Sequence, residues 1–105
     1  MDFQRFIESK MRNAWIVEPG IEIYVRISLP SRGTDYDLAT AVAASTGRGA
    51  LTRFLDTWEP RYSFYIENVL DPDRLGKFFL NRGYKEINQQ FDVKTCCYSN
   101  GKIIE

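Results

Sequence analysis

Histidine is missing from this chain of 105 residues. Its absence removes Ser-His and Cys-His nucleophilic arrangements and the common zinc sites. Cysteine is scarce, and Cys96 and Cys97 are sequence neighbours. Adjacent cysteines cannot staple a fold in the usual way, and two thiols without histidine are too few for a metal. They read as reduced thiols on a strand, which points to a cytoplasmic protein without a metal site. An excess of either charge is missing too, because fourteen Lys and Arg balance fourteen Asp and Glu. A neutral chain without a basic cluster has no electrostatic footprint for nucleic acid. No segment approaches the ~20 apolar residues of a membrane span. The opening "MDFQRFIESKMRN" is interrupted by charges at positions 2, 5, 8, 10 and 12, so it reads as no signal peptide. Neither nucleic acid nor membrane is an expected partner.

What is present suits one globular domain spanning 1–105. A hydrophobic content of 44% lies far from the composition of disordered chains, and no repeat or linker divides the sequence. Phe3, Phe6, Ile7 and Met11 have helical spacing, which predicts an amphipathic helix over 2–12. "AWIV" reads as a short strand ending at the turn Pro19-Gly20. "IEIYVRISL" alternates cleanly, with Ile21, Ile23, Val25, Ile27 and Leu29 on one face. Residues 35–44, "DYDLATAVAA", continue as a strand with small side chains at Ala39, Ala41 and Ala43.

Leu51, Phe54, Leu55 and Trp58 recur at i, i+3, i+4 and i+7, so a helix follows and ends before Pro60. "RYSFYIENVL" is another aromatic-rich strand. "DPDRLGKFFLNRGY" carries helix punctuation: Asp71 as N-cap, Pro72 in the first turn and Gly83 at the C-terminal end. "YKEINQQFDVKTCCYS" reads as one or two strands. The fold class is therefore α/β, with a mixed central sheet, a parallel crossover from strand 35–44 to strand 62–69, and helices on both faces.

Gly47-Arg48-Gly49 stands between strand 35–44 and the next helix. A glycine turn opening a helix offers free backbone N–H groups and a positive helix end, both suited to an anion. Walker spacing is absent, and a dinucleotide fingerprint would need a third glycine where Thr52 stands.

"GRGALTRFLD" resembles the pyrophosphate loop of the GNAT superfamily, the acyl-CoA-dependent N-acyltransferases. The family pattern falls on Thr46, Gly47, Arg48, Gly49, Ala50 and Leu51. Gly49 matches it, while Thr46 and Leu51 depart from it. "YSFYIENVLDPDRLGKFFLNRGY" is similar in spacing to a second GNAT block, with Gly83-Tyr84 where the family has Gly-Phe. The strand "YIENVL" also resembles small GNAT-like proteins of bacteriophages. Together the two blocks cover residues 35 to about 91, and the resemblance implies a minimal GNAT fold.

Membership would imply acetyl-CoA (coenzyme A) as cofactor. Thr46, Gly47, Arg48, Gly49 and Ala50 would take its pyrophosphate, and backbone at Ala41, Val42, Ala43 and Ala44 would pair with the pantetheine arm. An amine acceptor must lose its proton. Without histidine the candidate base is Glu67, with Asp37 weaker, and Asn68 would orient the acceptor or the thioester carbonyl. The family's usual general-acid tyrosine is replaced by Phe79, a residue suited to core packing beside Leu75 and Phe78. Tyr65, Tyr84 and Tyr98 stand as substitutes. Two readings follow. One is an N-acetyltransferase acting on an amine, plausibly a lysine of a host protein. The other is a catalytically inactive GNAT-fold protein that grips a host partner. Either fits a monomer or a homodimer.

Overall fold

The computed structural model describes residues 1–42, 49–69, 72–87 and 96–101. Asp2 caps the first helix, α1 (Phe3–Glu8), its Oδ1 accepting from the backbone N–H of Arg5 at 2.8 Å. The helix is shorter than the spacing predicts. Ser9 donates its backbone N–H to Arg5 and Phe6 and its hydroxyl to the Phe6 carbonyl, so the chain turns out before Met11, which is left exposed.

Strands β1 (Asn13–Glu18) and β2 (Ile21–Ile27) form an antiparallel hairpin around Gly20, whose φ of 81° suits a residue without Cβ. A single 3-10 turn, Pro30–Arg32, leads to β3 (Tyr36–Val42), which returns antiparallel to β2. Ile21, Ile23 and Val25 are buried as expected, but Ile27 and Leu29 are exposed. The end of β2 overruns the core, and Ser28 turns inward instead to donate its hydroxyl to Asp37 at 2.6 Å.

Helix α2 (Ala50–Trp58) begins at Gly49 and buries the expected stripe of Leu51, Phe54, Leu55 and Trp58. It connects β3 to β4 (Phe64–Val69), which lies parallel to β3 with Tyr36, Asp37 and Leu38 opposite Phe64, Tyr65 and Ile66. Helix α3 (Pro72–Asn81) then leads to β5 (Lys85–Ile87) and β6 (Cys96–Ser99). Gly83, at φ 89°, donates to Leu80 while Tyr84 donates to Phe79, so α3 ends in a Schellman motif at the expected glycine.

The six-stranded mixed sheet has the order β1-β2-β3-β4-β6-β5. Its parallel β3–α2–β4 unit is the expected crossover.

Helices on both faces are not found among the described residues. Phe3 of α1 and Phe54 of α2 both touch the Phe64 ring. Ile66 lies on the same face as Phe64 and pairs with Tyr98, on which Phe79 of α3 stacks. All three helices therefore cover one face. For α2 and α3 this follows the rule of chirality: two successive crossovers that move the same way along a sheet and are right-handed lie on one side.

Candidate functional site

Two places combine local chemistry with an unusual arrangement. The first is the start of α2. Gly49 is its N-cap in the left-handed region (φ 72°, ψ 14°) and offers no side chain to the helix amides. The Arg53 guanidinium folds back toward it, its Nη1 3.6 Å from where a Cβ on Gly49 would lie. A positive helix end and a guanidinium thus share one corner. A cleft of about 250 Å³ opens beside them, its lining apolar at Ile21, Phe54 and Trp58 and polar at Glu18, Arg53 and Thr57. Leu51 does not crowd the turn, because it is buried in the core.

The second place is the sheet face that carries no helix. Arg26 of β2 lies opposite Asp37 of β3, and Asp37 lies opposite Tyr65 of β4, two residues before Glu67. Asp37 and Glu67 are buried to 2% and 8% exposure. Glu67 accepts from Arg26 Nη2 at 2.5 Å through one oxygen and from Arg32 Nη1 through the other. The same Arg32 nitrogen donates to Asp37 Oδ2 at 2.7 Å, and its guanidinium lies 4.3 Å above the Tyr65 ring. Thr34 completes the group by donating its hydroxyl to Ser28 at 2.8 Å. Burial pulls the Arg32 guanidinium toward neutrality, but its bonds to Glu67 and Asp37 outweigh this and hold it charged. The side chain keeps its charge.

The expected site residues divide between these places. Gly49 and Ala50 stand at the α2 corner, and the backbone of Ala41 and Val42 runs along the end of β3, opposite Ile23 and Glu22. Ala43, Ala44, Thr46, Gly47 and Arg48 lie outside the described residues, as does the Asp71 cap. Glu67 belongs to the ionic group, with Asn68 next to it in β4. Phe79 is fully buried against Tyr98 and Tyr84.

The three tyrosines proposed as proton donors are all buried. Tyr65 lies beneath Arg32, and the Tyr98 hydroxyl is packed against Gly76 of α3. Burial pushes the Tyr84 phenol far up, and the Glu59 carboxylate beside it acts in the same direction. A phenol that holds its proton so tightly is a poor acid.

Arg26 and Arg32 are the residues that sequence reasoning missed. One signal for Arg26 was available, since it sits on the polar side of an alternating strand next to another strand bearing Asp37. Arg32 sits in a turn, where an arginine carries no such signal. Among the described residues, no group of His, Cys, Asp and Glu is arranged to hold a metal, and no helix is long and apolar enough to cross a membrane.

No protein-family model, curated protein or solved structure matches this chain.

Proposed function

We propose that the chain is an acetyl-CoA-dependent N-acetyltransferase of GNAT type, acting on an amine. The observation that carries this reading is the parallel β3–α2–β4 unit, whose helix opens at a left-handed N-cap glycine, Gly49, beside Arg53. Backbone amides at a helix start favour phosphate oxygens, and a Cβ-free residue allows them close. Arg53 would add a charge-assisted bond to the same anion. The glycine and Arg53 at the described part of the corner thus suit a pyrophosphate, while Glu18 in the adjoining cleft, beside Phe54 and Trp58, would have to lie away from it.

Acetyl-CoA supplies the activated acyl group. The chain's own work is to hold the acceptor and take its proton. A lysine amine with a pKa of about 10.4 costs on the order of 4–5 kcal/mol to neutralise near pH 7. Glu67, in the strand next to β3, is the carboxylate that would take that proton. Its oxygens must first be released by the arginines.

The non-catalytic reading, a GNAT-shaped protein that contacts a host partner, has its own support. Both Glu67 oxygens are engaged, and Phe79 is fully buried at the position of the usual acid.

Calorimetry and thermal melts with acetyl-CoA test the proposal. Ligand at one hundred times its dissociation constant adds about 2.7 kcal/mol, which for a domain of this size is on the order of a 10–20 °C rise in Tm. Transfer of acetyl to a lysine-peptide pool, read by mass spectrometry, then separates enzyme from binder. No binding at millimolar coenzyme sinks both the cofactor and the transferase.

A further inference from the structure

We infer that Arg32 is a built-in plug, held in a cage formed by Asp37, Glu67 and the Tyr65 ring, and that the cage accepts the cationic side chain of an acceptor in its place. The inference rests on the transferase reading for its purpose, but not for its geometry.

The cage has the parts that recognise an organic cation. Two nearly buried carboxylates converge on one nitrogen of Arg32, and an aromatic face lies 4.3 Å beneath the guanidinium carbon. Carboxylates supply charge-assisted hydrogen bonds, and a ring face attracts a cation by its quadrupole. The charges also balance. With Arg32 in place, two arginines meet two acids and the group is neutral. When Arg32 leaves, Arg26 remains on Glu67, and the cage is left with one uncompensated negative charge. One monocation restores neutrality, as a lysine or arginine side chain would.

The occupant is delivered in a way that permits exchange. Arg32 sits in the Pro30–Arg32 turn, whose backbone bonds (Arg32 N–H to Leu29, Gly33 N–H to Pro30) do not involve the side chain. The Ser28–Asp37 and Thr34–Ser28 bonds clasp the turn's two ends independently of Arg32. The guanidinium can therefore swing into solvent while the turn stays folded. Its side chain is already 27% exposed, against 3% for Asp37. Glu67 is then doubly placed. Under Arg32 it is blocked as a base, and under an acceptor ammonium it touches the proton that has to leave.

A tethered arginine competes with a free cation at an effective concentration on the order of millimolar. Removing it exposes the intrinsic affinity of the cage. The probes are Nα-acetyl-arginine methylamide and Nα-acetyl-lysine methylamide, each with one positive charge, and the norleucine analogue is the neutral control. All are titrated without coenzyme, by NMR on the full chain. Arg32→Ala is expected to bind at least one of the two cations with a Kd at least about tenfold lower than the native chain does. The control should not bind, and Glu67→Gln added to Arg32→Ala should abolish the gain. Arg32→Gln, which keeps the bulk, serves if alanine unfolds the turn. In the native chain, tens of millimolar of the better probe should move the Arg32 Nε–H and Tyr65 ring signals together. Equal affinity in native and variant chains, or native-chain signals that stay still, would overturn the plug. Coenzyme binding is measured separately: cations that bind the variant while acetyl-CoA does not would leave the cage standing and remove the transferase.

Discussion

At Gly76 the structure depends on a missing methyl group. A Cβ there would overlap the Tyr98 hydroxyl and come within 3.3 Å of Tyr98 Cζ. Tyr98 is 2% exposed and stacked on Phe79, so its ring has nowhere to go. Glycine inside a helix usually costs up to about 1 kcal/mol relative to alanine. Here the sign reverses. Gly76→Ala is expected to destabilise by about 1–3 kcal/mol through overpacking, as read by urea unfolding. Adding Tyr98→Phe removes the overlapping oxygen, so the double variant should be more stable than the sum of the two single effects.

Tyr84 gives a second residue-scale expectation. Its folded-state pKa lies above the ordinary value of about 10, chiefly through burial, and that of the less buried Tyr36 is raised by the same cause. A raised pKa means that folding favours the protonated phenol. Below about pH 10 both states are protonated and nothing changes. Above it the unfolded chain ionises first, and stability should fall by up to about 1.4 kcal/mol per pH unit for each such group. Melting curves between pH 8 and 11 should show the decline, and Tyr84→Phe should flatten it. An equal slope in that variant would place the alkaline loss elsewhere.

Among the elements, α2 and α3 are tied at their ends by Arg82. Its Nη2 donates to Asp56 at 2.7 Å and to Glu59 at 2.5 Å, and those bonds outweigh burial in holding it charged. Asp56 is exposed, so most of the worth lies with Glu59, whose side chain is 19% exposed. Arg82→Ala is expected to cost about 1.5–3 kcal/mol, the range for a bond between charged groups. Arg82→Lys should recover only part of it, because an ammonium lacks the planar fork. Raised salt should shrink the difference between native and alanine chains only modestly, since the contact is partly buried. A loss that vanished in salt would mark a mere surface pair.

Much at this scale was legible in the sequence. The α2 stripe, the Gly83 stop and the Gly20 hairpin are local signals, each set within a few residues by periodicity or by a positive φ. The failures have a common cause. Ile27 and Leu29 continue a perfect alternation, yet only the distant end of the core decides that they face solvent. Arg26 and Glu67 are separated by 41 positions, so nothing local announces their pairing. The side shared by α2 and α3 follows from crossover handedness rather than from composition. The start of α2 was legible as a glycine-led helix, and its Arg53 only as one more charge.

For the whole molecule, the ionic group does on one sheet face what helices do on the other. Asp37→Asn leaves the hydroxyl contact of Ser28 possible but takes a charge from Arg32 and Arg26. Because both arginines are partly exposed, the expected cost is about 1–3 kcal/mol rather than the larger figure for a fully buried pair. Chemical denaturation measures it.

The strand order has one more consequence, in time rather than in space. β6 lies between β4 and β5, although it follows both in the chain. As a ribosome delivers the chain, β1 to β4 can pair in sequence, but β4 must wait with a bare edge until residues 96–99 arrive. An unpaired hydrophobic strand edge invites another chain. The last of the described strands to emerge therefore fills a gap between two earlier ones, β4 and β5. A chain truncated just before Cys96 should resist protease poorly and associate with its neighbours, and the full chain should do neither.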